Sequence, residues 1–279
     1  MCIVALAWQV LPNLPLCLIS NRDEFYHRPT KPLHHWPSGI IAGQDERAYG
    51  TWLGVTAHGR WAVLTNHRDG RDQREYATSR GNLVAQYLQS TYSPMTYARQ
   101  LESEMMQYAG FNLIIGTPTQ AVHISNRGDG IKPLAHGVYV MSNGLMSEHW
   151  QKCAHLRKRY TQELLPIAQQ QLLNHQDLSA LSASLAPIAW QLLEDERQLD
   201  FDQLPKTGIS AEWEKQLSST FIHTEHYGTR VSNFLLLSDT QLQWQEKQQS
   251  GQLQGAIEQI SLELHSSAAT DADRSSVNR

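Results

Sequence analysis

A chain of 279 residues with 41% apolar side chains is long enough for one large core or two modest ones, and one domain is expected. Its 23 basic and 27 acidic side chains leave a formal charge of −4, which excludes a basic face for nucleic acid and an acidic tail for a cationic partner. Small molecules or neutral partners are favoured. Cys2, Cys17 and Cys153 are odd in number and widely spaced, which suits a reducing compartment better than a disulfide framework. No basic region precedes the first apolar stretch, and Pro12 and Pro15 cut it far below a membrane span, so a soluble, cytoplasmic protein is expected.

In chain order, Ile3 to Trp8 and Leu16 to Ser20 are apolar segments joined by the proline turn VLPNLP, which predicts a β-hairpin whose second strand ends at Asn21. WLGVT and RWAVLTN flank Ala57, His58 and Gly59 and predict a second hairpin ending at Asn66. From Thr78 to Ser90, Leu83, Val84, Tyr87 and Leu88 repeat at helical spacing behind a Thr-Ser cap. Ser93 and Pro94 signal a second helix start ahead of Tyr97, Leu101, Met105 and Tyr108. FNLIIG, AVHIS and GVYVMSN are the next strands, the last ending at Asn143. Helical spacing returns from Trp150 to Ala168 and continues through the leucine-rich stretch from Leu172 to Leu193, around Pro187. TRVSNFLLL and QLQWQEKQQ close the ordered part as two strands about a Ser-Asp-Thr turn. A single domain over 1–264 is therefore expected, with 265–279 too polar to pack. Strands at both ends with helical blocks between them predict an α+β layering and not an alternating βαβ fold.

Chemistry enters at Cys2. If Met1 is trimmed, which the small second side chain permits, Cys2 carries both a thiol nucleophile and its own base, the free α-amino group. An ordinary α-amine titrates at about 7.7 to 8.0 and a thiol at about 8.5, so proton exchange between them is nearly balanced. The polar residues at strand ends, Asn21, Arg22, Asp23 and Glu24 after one strand, Asn66 and His67 after another and Asn143 after a third, would converge on one sheet edge. There a carboxylate such as Asp23 would orient the α-ammonium, a guanidinium such as Arg22 would lower the thiol pKa, and asparagine amides would donate to an oxyanion.

The stretches MCIVALAW, SNRDEFYHRP, TWLGV, GRWAVLTNHRD, SRGNLV, FNLIIG, VMSNGL and YGTRVSNFLLL together resemble the NRDE family, also called the transport and Golgi organisation protein 2 family. That family is similar in its N-terminal pattern to N-terminal nucleophile (Ntn) hydrolases, and the resemblance implies a four-layer αββα sandwich of two antiparallel sheets between helical layers. Within that superfamily the cholylglycine hydrolase and penicillin V acylase branch implies roles for single positions. Cys2 would be the nucleophile, Asp23 the aspartate after the second strand, Asn66 and Asn143 the oxyanion and orienting asparagines, and Arg230 the late arginine. One departure concerns Arg22. That branch separates its arginine and aspartate by two residues, whereas here they are adjacent and alternate on a strand, so both face Cys2 only if the backbone turns.

The resemblance implies a cysteine-dependent hydrolase acting on an amide or thioester of a small acylated molecule, with no cofactor. The family's links to haem movement and to lipid or acyl-coenzyme A metabolism imply an alternative, a non-catalytic haem or acyl-CoA carrier on the same fold. The 13 histidines show no metal-ligand spacing: His34, His35, His67 and His149 are placed beside turns, and His223 and His226 are only a pair. Trp36, Trp52, Trp61 and Trp150 would line an apolar pocket or, as such side chains more often do, the core.

Overall fold

A computed structural model describes residues 2–174 and 177–265. The first hairpin pairs β1 (Cys2–Leu11) with β2 (Leu14–Phe25), around Asn13 in the left-handed region at φ 57°. Strand β2 does not end at Asn21. It continues to Phe25 because it is hydrogen-bonded on both sides, with Cys2 opposite Arg22 in β1 and Thr229 opposite Asp23 in β11 (Tyr227–Leu237), so the SNRDEF motif lies within the sheet. The expectation that these residues follow a strand is corrected accordingly.

The first sheet is completed by β10 (Gly137–Met141), β12 (Gln241–Gln248) and β13 (Ile257–Glu263) in the order β10-β1-β2-β11-β12-β13. The second runs β3 (Thr30–His35), β4 (Ile40–Asp45), β5 (Leu53–Thr56), β6 (Trp61–Asn66), β7 (Phe111–Gly116), β8 (Ala121–Ser125) and β9 (Gly130–Pro133). Every pairing is antiparallel. Four of these strands, β3, β4, β9 and β13, carry no clear sequence signal. Pro32, the paired His34 and His35 and Gly39 read locally as turn, yet β3 pairs with β4 across a bulge, so the two histidines are strand residues.

Helices α1 (Gly81–Gln89) and α2 (Pro94–Glu102) cover the second sheet. Ser93 Oγ caps α2 by accepting from Thr96 N at 3.2 Å, as its position predicts. Helix α1 starts later than expected: Arg80 is its N-cap without a side-chain cap bond, and Thr78 and Ser79 remain outside. Helix α2 ends at Glu102, and Met105–Gln107 form a separate 3₁₀ turn. On the first sheet lie α3 (Gln151–Arg159), running through a π-helical segment (Tyr160–Leu164) into α4 (Leu165–Leu173), and α5 (Leu178–Leu193), with Pro187 on its exposed face. A short α6 (Ala211–Gln216) precedes β11. The result is the four-layer αββα sandwich.

Period-two alternation sets the two cores. On β1, Cys2, Val4, Leu6 and Trp8 point between the sheets, where the Trp8 ring meets Trp61 at 5.7 Å, while Ile3, Ala5 and Ala7 point under α3, α4 and α5. A strand buried on both faces reads as a continuous apolar run, which is why MCIVALAW was legible. Trp61 is core, and Trp36 is partly buried against the same cluster. The expectation for 265–279 falls, from residue 266 onward, outside the described residues; the Leu264 and His265 amides still donate to Thr240 and Ala57 carbonyls.

Candidate active site

Cys2 opens β1 between β10 and β2, on the face turned toward the second sheet. It lines a cleft of about 120 Å³ together with Arg22, Asp23, Asn66 and Trp52, all four named from sequence, and with Asp45 and Arg80, which were not. Burial pushes the Cys2 thiol above its ordinary pKa; Arg22 pulls it back, and Asp23 and Glu24 push it further up. Cys17 and Cys153 face the packed interior instead, and burial pushes their thiols up to about 12 and about 11. No disulfide joins the three.

Arg22 and Asp23 leave β2 on opposite faces, as adjacent strand residues must. The Arg22 guanidinium, only 5% exposed, reaches across to the second sheet, where its Nη2 meets Asp45 Oδ2 at 2.7 Å, and it lies over the Trp52 ring at 4.5 Å. Asp45 also takes Arg28 Nε at 2.6 Å and, through Oδ1, the backbone amides of Arg47 and Ala48. Burial alone would raise the Asp45 pKa, but the Arg28 hydrogen bond and the Ala48 amide outweigh it and hold the carboxyl below its ordinary value. On the other face Asp23 accepts from Thr229 Oγ1 at 2.8 Å. Its burial raises its pKa, opposed among others by Lys152, a buried lysine of α3 whose Nζ donates to the Leu217 carbonyl at 3.0 Å. Desolvation in turn lowers the Lys152 pKa.

Asn143 and Arg230 are not among the residues lining the cleft; both brace its walls. Asn143 Nδ2 donates to the Asn66 carbonyl at 2.9 Å, and its own carbonyl accepts from Arg68 N at 2.7 Å, which ties the end of β10 to the end of β6. Next to it Ser142 Oγ donates to the Cys2 carbonyl at 3.0 Å. Arg230 occupies the bulge of β11 and donates through Nη1 to the carbonyls of Phe25, Tyr26 and Arg28, holding the segment after β2. Asp45 and Lys152 gave no sequence signal, whereas Trp52, Arg80 and Ser142 lie in the TWLGV, SRGNLV and VMSNGL stretches that carry the family pattern.

Among the described residues no three His, Cys, Asp or Glu side chains group as a metal site, and no helix is long and apolar enough to cross a membrane. His67 and His149 line a separate cavity beside Trp150, and burial lowers the His67 pKa.

A conjugated bile acid hydrolase variant from Clostridium perfringens superposes with a TM-score of 0.49 at 9% identity over 92% of each chain. A Bos taurus protein described as Transport and Golgi organization protein 2 homolog is 32% identical over 243 residues, 80% of this chain and 82% of the relative. The Drosophila melanogaster Transport and Golgi organization protein 2 is 28% identical over 260 residues, covering 85% and 87%. The family model for Transport and Golgi organisation 2 matches residues 1–249, and the chain belongs to that family.

Proposed function

We propose that the chain is a cysteine-dependent N-terminal nucleophile hydrolase that cleaves an amide or thioester bond of a small acylated molecule. The observation that carries this reading is the opening of Cys2, Arg22, Asp23 and Asn66 onto one cleft at the ends of β1, β2 and β6. In the mature form the Cys2 α-amine takes the thiol proton, and the sulfur attacks the acyl carbon. The tetrahedral oxyanion is met by the Asn66 carboxamide, which Asn143 keeps in place through the Asn66 backbone. The amine returns the proton to the leaving nitrogen or sulfur, and water then hydrolyses the thioester formed on Cys2. Asp23 orients the amine, and Arg22 favours the thiolate against the burial that opposes it.

The test combines mass and turnover. Intact mass should show loss of Met1, and acyl-amide and acyl-thioester substrates should be hydrolysed by the wild type and not by Cys2→Ser. Active protein that retains Met1, or a Cys2→Ser variant with full kcat, would overturn the mechanism. No turnover of any acyl compound, combined with tight retention of a haem or acyl ligand, would instead establish the carrier alternative.

A further inference from the structure

The Cys2 cleft is nearly balanced in charge, with Arg22 and Arg28 set against Asp45 and Glu24. The groove that continues from it is not. The two cavities share Arg28, Ser79 and Arg80 in their walls, and the outer one, of about 470 Å³, adds Arg47 and, among the described residues, has no aspartate or glutamate in its lining. Its remaining polar groups, Tyr76, Thr78, Ser79 and Asn82, are neutral.

We propose that this acid-free groove binds an anionic group of the substrate, a phosphate or a carboxylate, through Arg28, Arg47 and Arg80. This rests on the reading of the Cys2 cleft as the reaction site and adds the chemistry of the substrate's distal end. The hydrogen-bonding capacity of the arginines supports it. Among the described residues, the Arg80 guanidinium makes one hydrogen bond, Nη1 to the Gly110 carbonyl at 2.9 Å, and has no carboxylate within ion-pair distance. Arg28 is held by Asp45 through Nε alone, which leaves its terminal nitrogens for a ligand. Arg47 uses only its backbone amide, and its side chain is exposed. Guanidinium forks with unused N–H groups are the donors that planar carboxylates and phosphates take in pairs.

The arrangement is costly without a ligand. Desolvation lowers the Arg80 pKa; Cys2 and Glu24 raise it in part, and the like charges of Arg28 and Arg127 act against them. An anion between Arg28 and Arg80 removes that repulsion. The groove is also rigid in advance of binding. One carboxylate, Asp45, fixes both Arg28 and the amide of Arg47. The following loop packs so tightly on the start of α1 that a Cβ on Gly50 would lie 2.6 Å from the Gly81 backbone. The guanidiniums of Arg28 and Arg80, already held at one nitrogen each, lose little freedom on binding.

The experiment titrates the full-length protein at low salt with inorganic pyrophosphate and, separately, with glutarate, by calorimetry and by the arginine Nε–H resonances. Wild type, Arg47→Glu, Arg80→Gln, Cys2→Ser and the exposed control Arg99→Glu are compared. Wild type should bind one or both anions, Arg47→Glu and Arg80→Gln should weaken binding by about tenfold or more, and Arg99→Glu should bind as wild type. Binding of pyrophosphate alone assigns a phosphate, and of glutarate alone a carboxylate. Among the described residues the Arg47 side chain makes no hydrogen bond or ion pair, so Arg47→Glu tests the site even if Arg80→Gln misfolds. The proposal is overturned if neither anion binds above a chloride control, or if Arg47→Glu binds as tightly as wild type. Anion binding retained by Cys2→Ser in a protein without turnover would count against the catalytic reading alone; turnover without anion binding would count against this site alone.

Discussion

Glu246 of β12 is a carboxylate whose surroundings disfavour its ionisation. It is fully buried, its Oε1 accepts from Leu33 N and Gln248 Nε2, and its Oε2 has no hydrogen-bond partner among the described residues. Burial pushes its pKa up to about 7, against which those two donors and Arg22 act only in part. A raised folded-state pKa adds stability below the ordinary value of 4.5 and loses it as pH climbs through 7. The loss amounts to about 3 kcal/mol, at 1.36 kcal/mol for each pKa unit. Glu246→Gln should therefore melt higher than wild type at pH 8 and show a flatter dependence of Tm between pH 4.5 and 7. Asp23 differs, since Thr229 and Lys152 face it. Asp23→Asn keeps the Thr229 bond while removing the charge, so turnover should fall by more than tenfold with a small change in Tm. A large Tm drop with unchanged Cys2 labelling would make Asp23 structural.

At the scale of elements, the site is held by ties between strand ends that belong to different sheets. Arg22 of β2 and Asp45 of β4 form a buried ion pair across the sandwich, and Asp45 alone also anchors Arg28 and two amides of the loop after β4. Removing one partner of such a pair leaves a buried charge, so Asp45→Ala should cost about 3 kcal/mol in urea unfolding and loosen the loop that carries Arg47. Asn143 joins β10 to β6 in the same manner. Asn143→Ala frees the Asn66 carbonyl, and kcat should fall by about 10²–10³ if Asn66 supplies the oxyanion donor that Asn143 positions. KM should move little. An Asn143→Ala variant with wild-type kcat would show that Asn143 does not position the oxyanion donor.

For the whole molecule, the first sheet is covered on both faces, by the second sheet and by α3, α4 and α5. The two cores therefore share the backbone of β1, β2 and β11 and cannot open independently. Trp61, fully buried against Trp8, lies in the inter-sheet core only. Trp61→Ala should cost about 3–5 kcal/mol. Near- and far-UV circular dichroism should still report one coincident transition, including the helices on the opposite face of the sheet; two separate transitions would show that the layers unfold apart.

Local patterning was sufficient for what depends on near neighbours. The hairpin of β1 and β2, the strands β5 to β8 and β10 to β12, the Ser93 cap and the helical blocks follow from periodicity and turn residues, because those signals are written in adjacent positions. Strand-end placement singled out Cys2, Arg22, Asp23, Asn66 and Asn143, and the family resemblance added Arg230. The strands β3, β4, β9 and β13 stayed hidden because their pairing partners, and not their own propensities, hold them extended. The cleft was decided by tertiary structure alone. Asp45 is 23 residues from Arg22 in sequence, and its role exists only because sheet stacking brings the two into contact. The Asn143 carboxamide, equally able by sequence to donate toward Cys2, is turned to Asn66. The packing of α1 on the second sheet sets Arg80 in the same cavity wall as Arg28, and that long-range juxtaposition of like charges is invisible in the order of residues.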